Sequence, residues 1–362
     1  MKKISSISYC LLLIMAMAAG CKKDDLTAPA DRTVVPRSLG EFIENNYDLS
    51  ILKAALIKTG LMSSLKQPGA FTLFAPDNNA FNQIGITEES IANMNTDSLK
   101  FMLQYHLIPD RYYISAFPVQ VDNVYKTLNG KELYVSIAKQ QSNGAENKNT
   151  YVNGVNVMIG EKRNIPLSNG VMHILFRPLN YHDGTVQDYI ASRSEFTLFA
   201  AIMKKFNYWD ELKNKPLLTV YAPVNEAFLS YGLTADSIAK IDPATFDPLA
   251  FNVYPLQMKS ARIFASDAAT LSENGSQPAS NGIMIQPDYA MNPAYQFNAY
   301  ANKEDATLWV YKKGMDGNWV VNPNGNKTIL YQGGLNNSNQ LSSNGVVHMI
   351  DKLIFNPARF RK

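Results

Sequence analysis

Two stretches of the chain carry apolar residues at helical spacing, and each is followed by a short apolar run that ends in Ala-Pro. The spacing predicts helices with one face toward a core. Residues 71–74 and 218–221 predict short strands, which Pro76 and Pro223 end because proline offers no amide hydrogen to a neighbouring strand. The helical positions are Leu52, Leu56, Leu61, Phe199, Met203 and Phe206. One succession of helix and strand therefore occurs twice.

The similarity extends to four sequence blocks that recur in the same order. The pairs are 38–43 with 185–190, 71–81 with 218–228, 103–106 with 249–252, and 168–174 with 343–349. The first three pairs keep nearly the same separation along the chain, whereas the last pair lies further apart. The chain is therefore predicted to contain one domain twice, with an insertion around 275–340 in the second copy.

Local signals predict where helices begin in each copy. Ser38 and Thr185 are suited to cap a helix, and Glu41 and Asp188 stand where a capping box needs an acidic partner. After each Ala-Pro, an Asn-x-Ala-Phe segment predicts a second helix start, with the phenylalanine packed on the sheet.

Each copy ends with an Asn-Gly dipeptide and an apolar strand that contains a histidine. Asn169-Gly170 and Asn344-Gly345 predict turns, since both residue types tolerate positive φ. The alternation that follows predicts a half-buried strand. His173 and His348 are expected to be buried and bonded to the backbone, with catalysis as the alternative.

The end blocks resemble the two signature segments of the fasciclin (FAS1) domain family, and the Tyr105-His106 pair stands between them as in that family. The resemblance covers 38–181 and 183–357. It implies an α+β fold of two tandem fasciclin-like domains, each a small bent β-sandwich with packed helices. Phe176 departs from the acidic residue that is common there, and Phe251-Asn252 replaces the Tyr-His pair in the second copy.

The resemblance also implies a function in adhesion or extracellular recognition, with a protein or glycan ligand and no cofactor. In animal members the Tyr-His region is linked to integrin adhesion. Tyr105 and His106 are therefore the candidate adhesion residues.

The start of the chain is typical of an exported lipoprotein. Residues 1–20 have two lysines followed by an apolar run, as a signal peptide does, and the run is too short to span a bilayer as a helix. Ala18–Cys21 resembles the lipobox, so Cys21 is the predicted lipidation site. Residues 21–37 predict a flexible tether, whose charged start resembles the surface-export signal of Bacteroidetes lipoproteins. We expect an outer-membrane lipoprotein exposed on the cell surface.

The composition of the chain limits the classes of partner that it can bind. With 46% hydrophobic and 18% charged residues the chain is typical of a globular protein, and its net charge of +3 includes Lys2 and Lys3 of the signal peptide. Clustered basic residues of the kind that bind nucleic acid are missing from the sequence. The two cysteines, Cys10 and Cys21, both precede the fold, so a disulfide within the fold is excluded.

Catalytic and metal-binding patterns are also missing from the sequence. The four histidines show no His-x-x-x-His spacing, and neither a nucleophile elbow nor a phosphate-binding glycine loop occurs. We therefore expect no metal, no cofactor and no enzymatic activity.

The insertion is rich in aromatic residues and asparagine, a mixture suited to stacking on sugar rings. Trp309 and Trp319 are the candidate glycan contacts; the alternative is that the aromatics face the core. If they are exposed, the protein serves as an accessory polysaccharide-binding lipoprotein of a glycan uptake system. The segments 307–312, 318–321 and 327–331 predict a three-stranded meander there.

Overall fold

The computed structural model describes residues 36–138, 149–246, 251, 256–257, 262–267, 270, 282–285, 295–301, 306–313, 319–321, 328–329, 338–353 and 357. The predicted signal peptide, Cys21 and most of the tether lie outside this part, as does much of the insertion. Among the described residues, no helix combines the length and apolar character needed to cross a membrane.

Eleven α-helices are described, and most are short. In the first repeat they are α1 (Leu39–Glu44), α2 (Ser50–Lys58), α3 (Leu61–Leu65), α4 (Asn78–Asn82), α5 (Glu88–Asn93) and α6 (Thr96–Tyr105). In the second they are α7 (Val186–Ala191), α8 (Thr197–Lys205), α9 (Glu211–Asn214), α10 (Asn225–Leu229) and α11 (Ala235–Ala239).

The described strands number eighteen. The first nine are β1 (Phe71–Pro76), β2 (Leu107–Ile108), β3 (Asn123–Lys126), β4 (Glu132–Ile137), β5 (Thr150–Val152), β6 (Val155–Asn156), β7 (Ile165–Leu167), β8 (Gly170–Leu175) and β9 (Tyr181–His182). The others are β10 (Leu218–Pro223), β11 (Leu256–Gln257), β12 (Gly282–Ile285), β13 (Tyr295–Ala301), β14 (Ala306–Lys313), β15 (Trp319–Val321), β16 (Thr328–Ile329), β17 (Gln340–Ser342) and β18 (Gly345–Ile350). Helices packed beside largely antiparallel sheets confirm the α+β class.

The same parallel strand pair lies at the centre of each repeat. In the first, β1 pairs with β8 so that Phe74 is opposite His173. In the second, β10 pairs with β18 so that Tyr221 is opposite His348. Antiparallel strands flank both pairs, and β9 joins β17 in parallel, so that the orders are β2-β1-β8-β7 and β11-β10-β18-β17-β9. The segment where the first repeat passes into the second, β9, thus belongs to a sheet of the second repeat.

The helix starts follow the sequence signals. Both capping boxes are complete, with Ser38 paired with Glu41 and Thr185 paired with Asp188. The helical apolar positions are buried, and Phe81 and Phe228 are fully enclosed at the starts predicted for α4 and α10.

The strands that carry the histidines are buried on both faces, so the prediction of half-buried strands is wrong. Helices cover one face of the β1–β8 sheet, where Leu73, Met172 and Ile174 pack. The second sheet of the repeat, β3-β4-β5-β6, covers the other face, where Phe74 and Leu175 pack. A central strand between two layers is buried on both faces, as parallel strands usually are.

The Asn-Gly dipeptides lie at the predicted turns, between β7 and β8 and between β17 and β18, but none of the four residues has the positive φ that the prediction relied on. Each asparagine instead joins three segments. Asn169 Oδ1 accepts the N–H of Leu39 at the start of α1, and its Nδ2 donates to the carbonyls of Leu65 and Gln67. Asn344 repeats this with Val186, Leu212 and Lys215.

The glycines are required by close packing of the central strands. A Cβ on Gly170 would lie 2.5 Å from the carbonyl oxygen of Phe71, and one on Gly345 would lie 2.5 Å from that of Leu218. Only glycine therefore lets the two strands approach at this end.

The insertion contributes β12 to β16. The predicted meander is wrong in one respect: β15 pairs with β14 at Tyr311–Lys313, but β16 returns to β14, at Thr307–Leu308. The long strand β14 thus supports both short strands along one edge.

Candidate functional site

Tyr105 ends α6 and is held in the interior by its hydroxyl. The helix begins at Asn95, whose side chain accepts the N–H of Ser98. At its other end, Tyr105 Oη donates to the carbonyl of Glu132 and accepts from Nδ2 of Asn153, both at 2.7 Å. The side chain is 1% exposed. Tyr105 therefore joins α6 to β4 and to the turn between β5 and β6.

His106 follows Tyr105 and is equally buried, at 1% exposure. Its Nε2 accepts the N–H of Leu179 at 2.8 Å, so the proton must reside on Nδ1, which donates to the carbonyl of Met102 at 2.8 Å. Burial lowers the pKa of His106 to about 4, so the imidazole is neutral at physiological pH.

The predicted adhesion pair thus has a structural role in the folded domain. Tyr105 and His106 are each only 1% exposed, so neither side chain offers a partner a contact surface in this conformation. A role for the segment in adhesion stays a prediction, and it would act through the surface that the two residues hold in place.

That surface is a groove between α6 and the segment 179–183, with a volume of about 490 Å³. Its lining is Asp97, Ser98, Phe101, Met102, Tyr105, Leu179, Asn180, Tyr181, His182 and Asp183. The Tyr181 ring lies 5.0 Å from that of Tyr105 and 6.2 Å from that of Phe101, centroid to centroid. We call this feature the recognition groove.

The recognition groove has an acidic rim. Asp97 is exposed in the first turn of α6, and Asp183 is exposed on the opposite side. Lys131 Nζ pairs with Asp183 at 2.5 Å and lies 5.7 Å from the centre of the Tyr181 ring. Lys131 and Tyr181 also line a smaller cavity of about 230 Å³, which continues toward Ser342 of the second repeat.

The sequence reasoning did not find this groove. A signal was present on α6, since Asp97, Phe101 and Tyr105 recur every four residues and so share one helix face. The other wall could not be found in that way, because Tyr181 and Asp183 are brought to α6 by the His106–Leu179 hydrogen bond.

The motif histidines are buried and bonded to the backbone, as the structural interpretation expected. His173 Nδ1 accepts the N–H of Asn164 and its Nε2 donates to the carbonyl of Tyr112. His348 makes the same bonds with Asn339 and Ile263. Burial lowers the pKa of both imidazoles to about 4.

These two histidines are therefore poor candidates for proton transfer near neutral pH. Each uses both ring nitrogens on backbone groups, which leaves neither nitrogen for a substrate or a metal. Across the described part of the chain, no three His, Cys, Asp or Glu side chains come together as a metal site would require.

The predicted glycan contacts fall in the insertion, where only the backbone is described. Trp309 lies four residues from Lys313 in β14, and Lys313 is the register partner of Trp319 in β15. Residues two apart along a strand lie on the same face of a sheet, and so do residues directly paired across two strands. Trp309, Tyr311 and Trp319 therefore occupy positions on one face of this sheet.

Comparison with known proteins gives one family. Residues 47–180 match the fasciclin domain. Human periostin is 27% identical over 206 residues, which are 56% of this chain and 23% of periostin. Protein sll1483 of Synechocystis sp. is 31% identical over 137 residues, 37% of this chain and 68% of that protein.

A longer match covers both repeats. Fasciclin-1 of Schistocerca americana is 24% identical over 342 residues, 85% of this chain and 44% of fasciclin-1. The chain therefore spans less than half of fasciclin-1 and about a quarter of periostin.

Proposed function

The chain belongs to the fasciclin domain family, and we propose that it is a non-catalytic recognition protein, anchored by lipid on Cys21 to the outer membrane and exposed at the cell surface. Its ligand is an extracellular protein, bound in the recognition groove. Membership of a family with this fold does not fix the ligand, since binding depends on the site that a particular chain carries.

The observation that carries the proposal is the combination of aromatic and acidic groups in the recognition groove. Its volume of about 490 Å³ lies within the range of about 300–1,000 Å³ typical of ligand pockets. Phe101 and Tyr181 offer apolar surface, while Asp97 is an exposed carboxylate outside the Lys131–Asp183 pair. A basic side chain of a protein partner meets both needs, because cations bind aromatic faces and pair with carboxylates.

The lipid anchor is supported by the sequence before the fold. Cys21 follows Ala-Ala-Gly and precedes a charged, proline-containing stretch. Two or three acyl chains bind a membrane stably without a spanning helix. In the producing bacterium, the chain should incorporate labelled palmitate and be cut by protease added to whole cells, whereas Cys21→Ser should do neither. Label in the Cys21→Ser chain would overturn this part of the proposal.

Groove binding is tested with the unlipidated Cys21→Ser chain on immobilised matrix proteins and polysaccharides. Phe101→Ala and Asp97→Asn should each weaken protein binding at least fivefold without changing the free energy of unfolding by more than about 1 kcal/mol. Tyr47→Ala is the matched control, because Tyr47 is an aromatic residue that is 94% exposed and does not line the groove. Equal binding by all four chains would contradict the proposal.

A second candidate function is polysaccharide binding in support of glycan uptake, and the register of the insertion favours it. Trp309, Tyr311 and Trp319 occupy one face of the β14 sheet, and aromatic residues aligned on a sheet face suit a row of sugar rings. The Trp309→Ala/Trp319→Ala chain separates the two functions. If this chain loses polysaccharide binding and keeps protein binding, polysaccharide binding is supported. If it is unchanged while Phe101→Ala loses protein binding, protein recognition in the groove is supported.

A further inference from the structure

The two repeats share one apolar cluster, which we call the junction core. From the first repeat it contains Tyr134, Val135 and Ile137 of β4. From the second it contains Phe264, Leu341 and Val346. The rings of Tyr134 and Phe264 lie 5.9 Å apart, centroid to centroid. The repeats are therefore joined by packing, and any polar group in this cluster is removed from water.

Two aspartates from different repeats lie in this junction, and the Ser136 hydroxyl connects the backbone of Asp122 to the carboxyl group of Asp267. The N–H of Asp122 donates to Ser136 Oγ at 3.1 Å, and Ser136 Oγ donates to Asp267 Oδ1 at 3.2 Å. Asp267 Oδ2 accepts the N–H of Phe264 at 2.7 Å. Both carboxyl oxygens of Asp122 are buried and lack a hydrogen-bond partner. An ionised Asp122 would thus be a buried charge without a hydrogen-bond donor.

Arg262 is the cation whose charge acts on Asp122, but its hydrogen bonds go to other groups. Nη1 donates to Tyr134 Oη at 2.6 Å, and Nη2 donates to the carbonyl of Ser343 at 3.2 Å. Tyr134 Oη in turn donates to Glu132, a further acid on β4. Just before β17, the uncharged Asn339 accepts the N–H of Ala265 with its Oδ1. The charge of Arg262 therefore acts on two acids, Asp122 and Glu132, and Arg262 makes no hydrogen bond to Asp122.

We propose that Asp122 and Asp267 form a pH-sensitive latch between the two repeats, which holds the junction closed while the pair retains a proton and loosens it when both carboxyls ionise. A protonated carboxyl can be buried at little cost, whereas two carboxylates in one apolar site repel each other and lose their hydration.

The electrostatics of the site agree with this. Burial raises the pKa of Asp122 to about 7, although Arg262 lowers it in part. Burial also raises the pKa of Asp267 well above its usual range, and the charge of Asp122 adds to that effect. Since both carboxyls bind protons more tightly when the junction is closed, closure is favoured at low pH. The preference is lost as the pH rises through about 7 and above.

Hydrogen exchange of the full chain tests the latch. After correction for intrinsic rates, amides in 120–137 and 262–267 should exchange about tenfold faster at pH 9 than at pH 6. This ratio is expected for a carboxyl whose pKa is near 7 when the junction is closed and ordinary when it is open. Asp122→Asn should reduce this ratio, because it removes one carboxyl and its charge beside Asp267, and Asp122→Asn/Asp267→Asn should bring the ratio below twofold. Asparagine suits the site because it keeps the shape of the neutral acid and tolerates the positive φ of Asp122, 54°.

Asp236→Asn is the matched control, since Asp236 is exposed in α11 and should leave the tenfold ratio intact. The latch is overturned if the wild-type ratio stays near one, or if Asp122→Asn keeps it. Should that variant misfold, carboxyl carbon NMR of the wild-type chain labelled at aspartate decides instead. One carboxyl must titrate near pH 7, and titration of every aspartate below pH 5 excludes the latch.

Discussion

His173 stacks on Phe74 across the central strands of the first repeat, with ring centroids 5.4 Å apart and planes 28° from parallel. His348 and Tyr221 repeat the arrangement at 5.3 Å and 23°. Both pairs follow from the parallel register that places each histidine opposite an aromatic residue. The duplicated histidine is thus part of the interior of each sheet, where it must stay neutral.

Acid should destabilise the protein through three buried histidines: His106, His173 and His348. Each has a folded pKa near 4 against about 6.5 when unfolded, so the unfolded chain binds more protons between these values. Stability is complete above pH 6.5 and falls as the pH drops toward 4, by about 3 kcal/mol per histidine at pH 4. Urea unfolding at a series of pH values measures the slope.

The control for this slope is Asp122→Asn, because the Asp122–Asp267 pair acts in the opposite direction over part of the same range. Without that opposition the loss on acidification should be steeper than in wild type. Stability that is constant between pH 7 and 4.5 in the Asp122→Asn chain would contradict the assignment of neutral, buried imidazoles.

Asn169 should contribute more to stability than its place in a turn suggests. Replacement by alanine removes the acceptor of the Leu39 N–H at the start of α1 and leaves the carbonyls of Leu65, which is buried, and Gln67 without their donor. We expect a loss of about 2–4 kcal/mol by chemical unfolding. Asn344→Ala should give a similar loss in the second repeat. Asn45→Ala is the control, since Asn45 makes an exposed bond to Glu41 and should change stability by less than about 1 kcal/mol.

Gly170→Ala should be severely destabilising, by about 3 kcal/mol or more, because the new methyl would lie 2.5 Å from a backbone oxygen that a strand pair holds in place. Gly69→Ala is the matched control. There the new methyl meets the end of the Phe71 side chain, which can move, at 2.6 Å. Circular dichroism melting compares the two, and equal effects would mean that β1 and β8 separate more easily than their register indicates.

Asn169 and Gly170 show which features the sequence alone could not predict. Capping boxes at Ser38 and Thr185 depend on residues three apart, so the sequence predicted them. The functions of Asn169 and Gly170 depend on segments about a hundred residues away, so an Asn-Gly dipeptide could be interpreted only by its local preference for a turn.

The recognition groove and the proposed Asp122–Asp267 latch both bring together residues that are far apart in the sequence. Phe101 meets Tyr181, and Asp122 meets Asp267, only after the chain has folded and the second repeat has packed on β4. Repeats in a sequence show that a domain is duplicated, but they carry no information about the surfaces that the copies present to each other. The family resemblance predicted the α+β class, whereas the packing between the two repeats could be found only in the structure.

Tyr105 provides the test that separates positioning from direct contact. Tyr105→Phe keeps the ring and removes the hydroxyl that joins Glu132 and Asn153, so we expect a loss of about 1–3 kcal/mol in unfolding free energy. Because the side chain is buried, ligand affinity of the folded protein should fall no more than about threefold. Phe101→Ala should show the opposite pattern, with weak binding and nearly unchanged stability. If Tyr105→Phe abolished binding while stability stayed constant, the hydroxyl would have to reach the ligand, and the groove would have to open on binding.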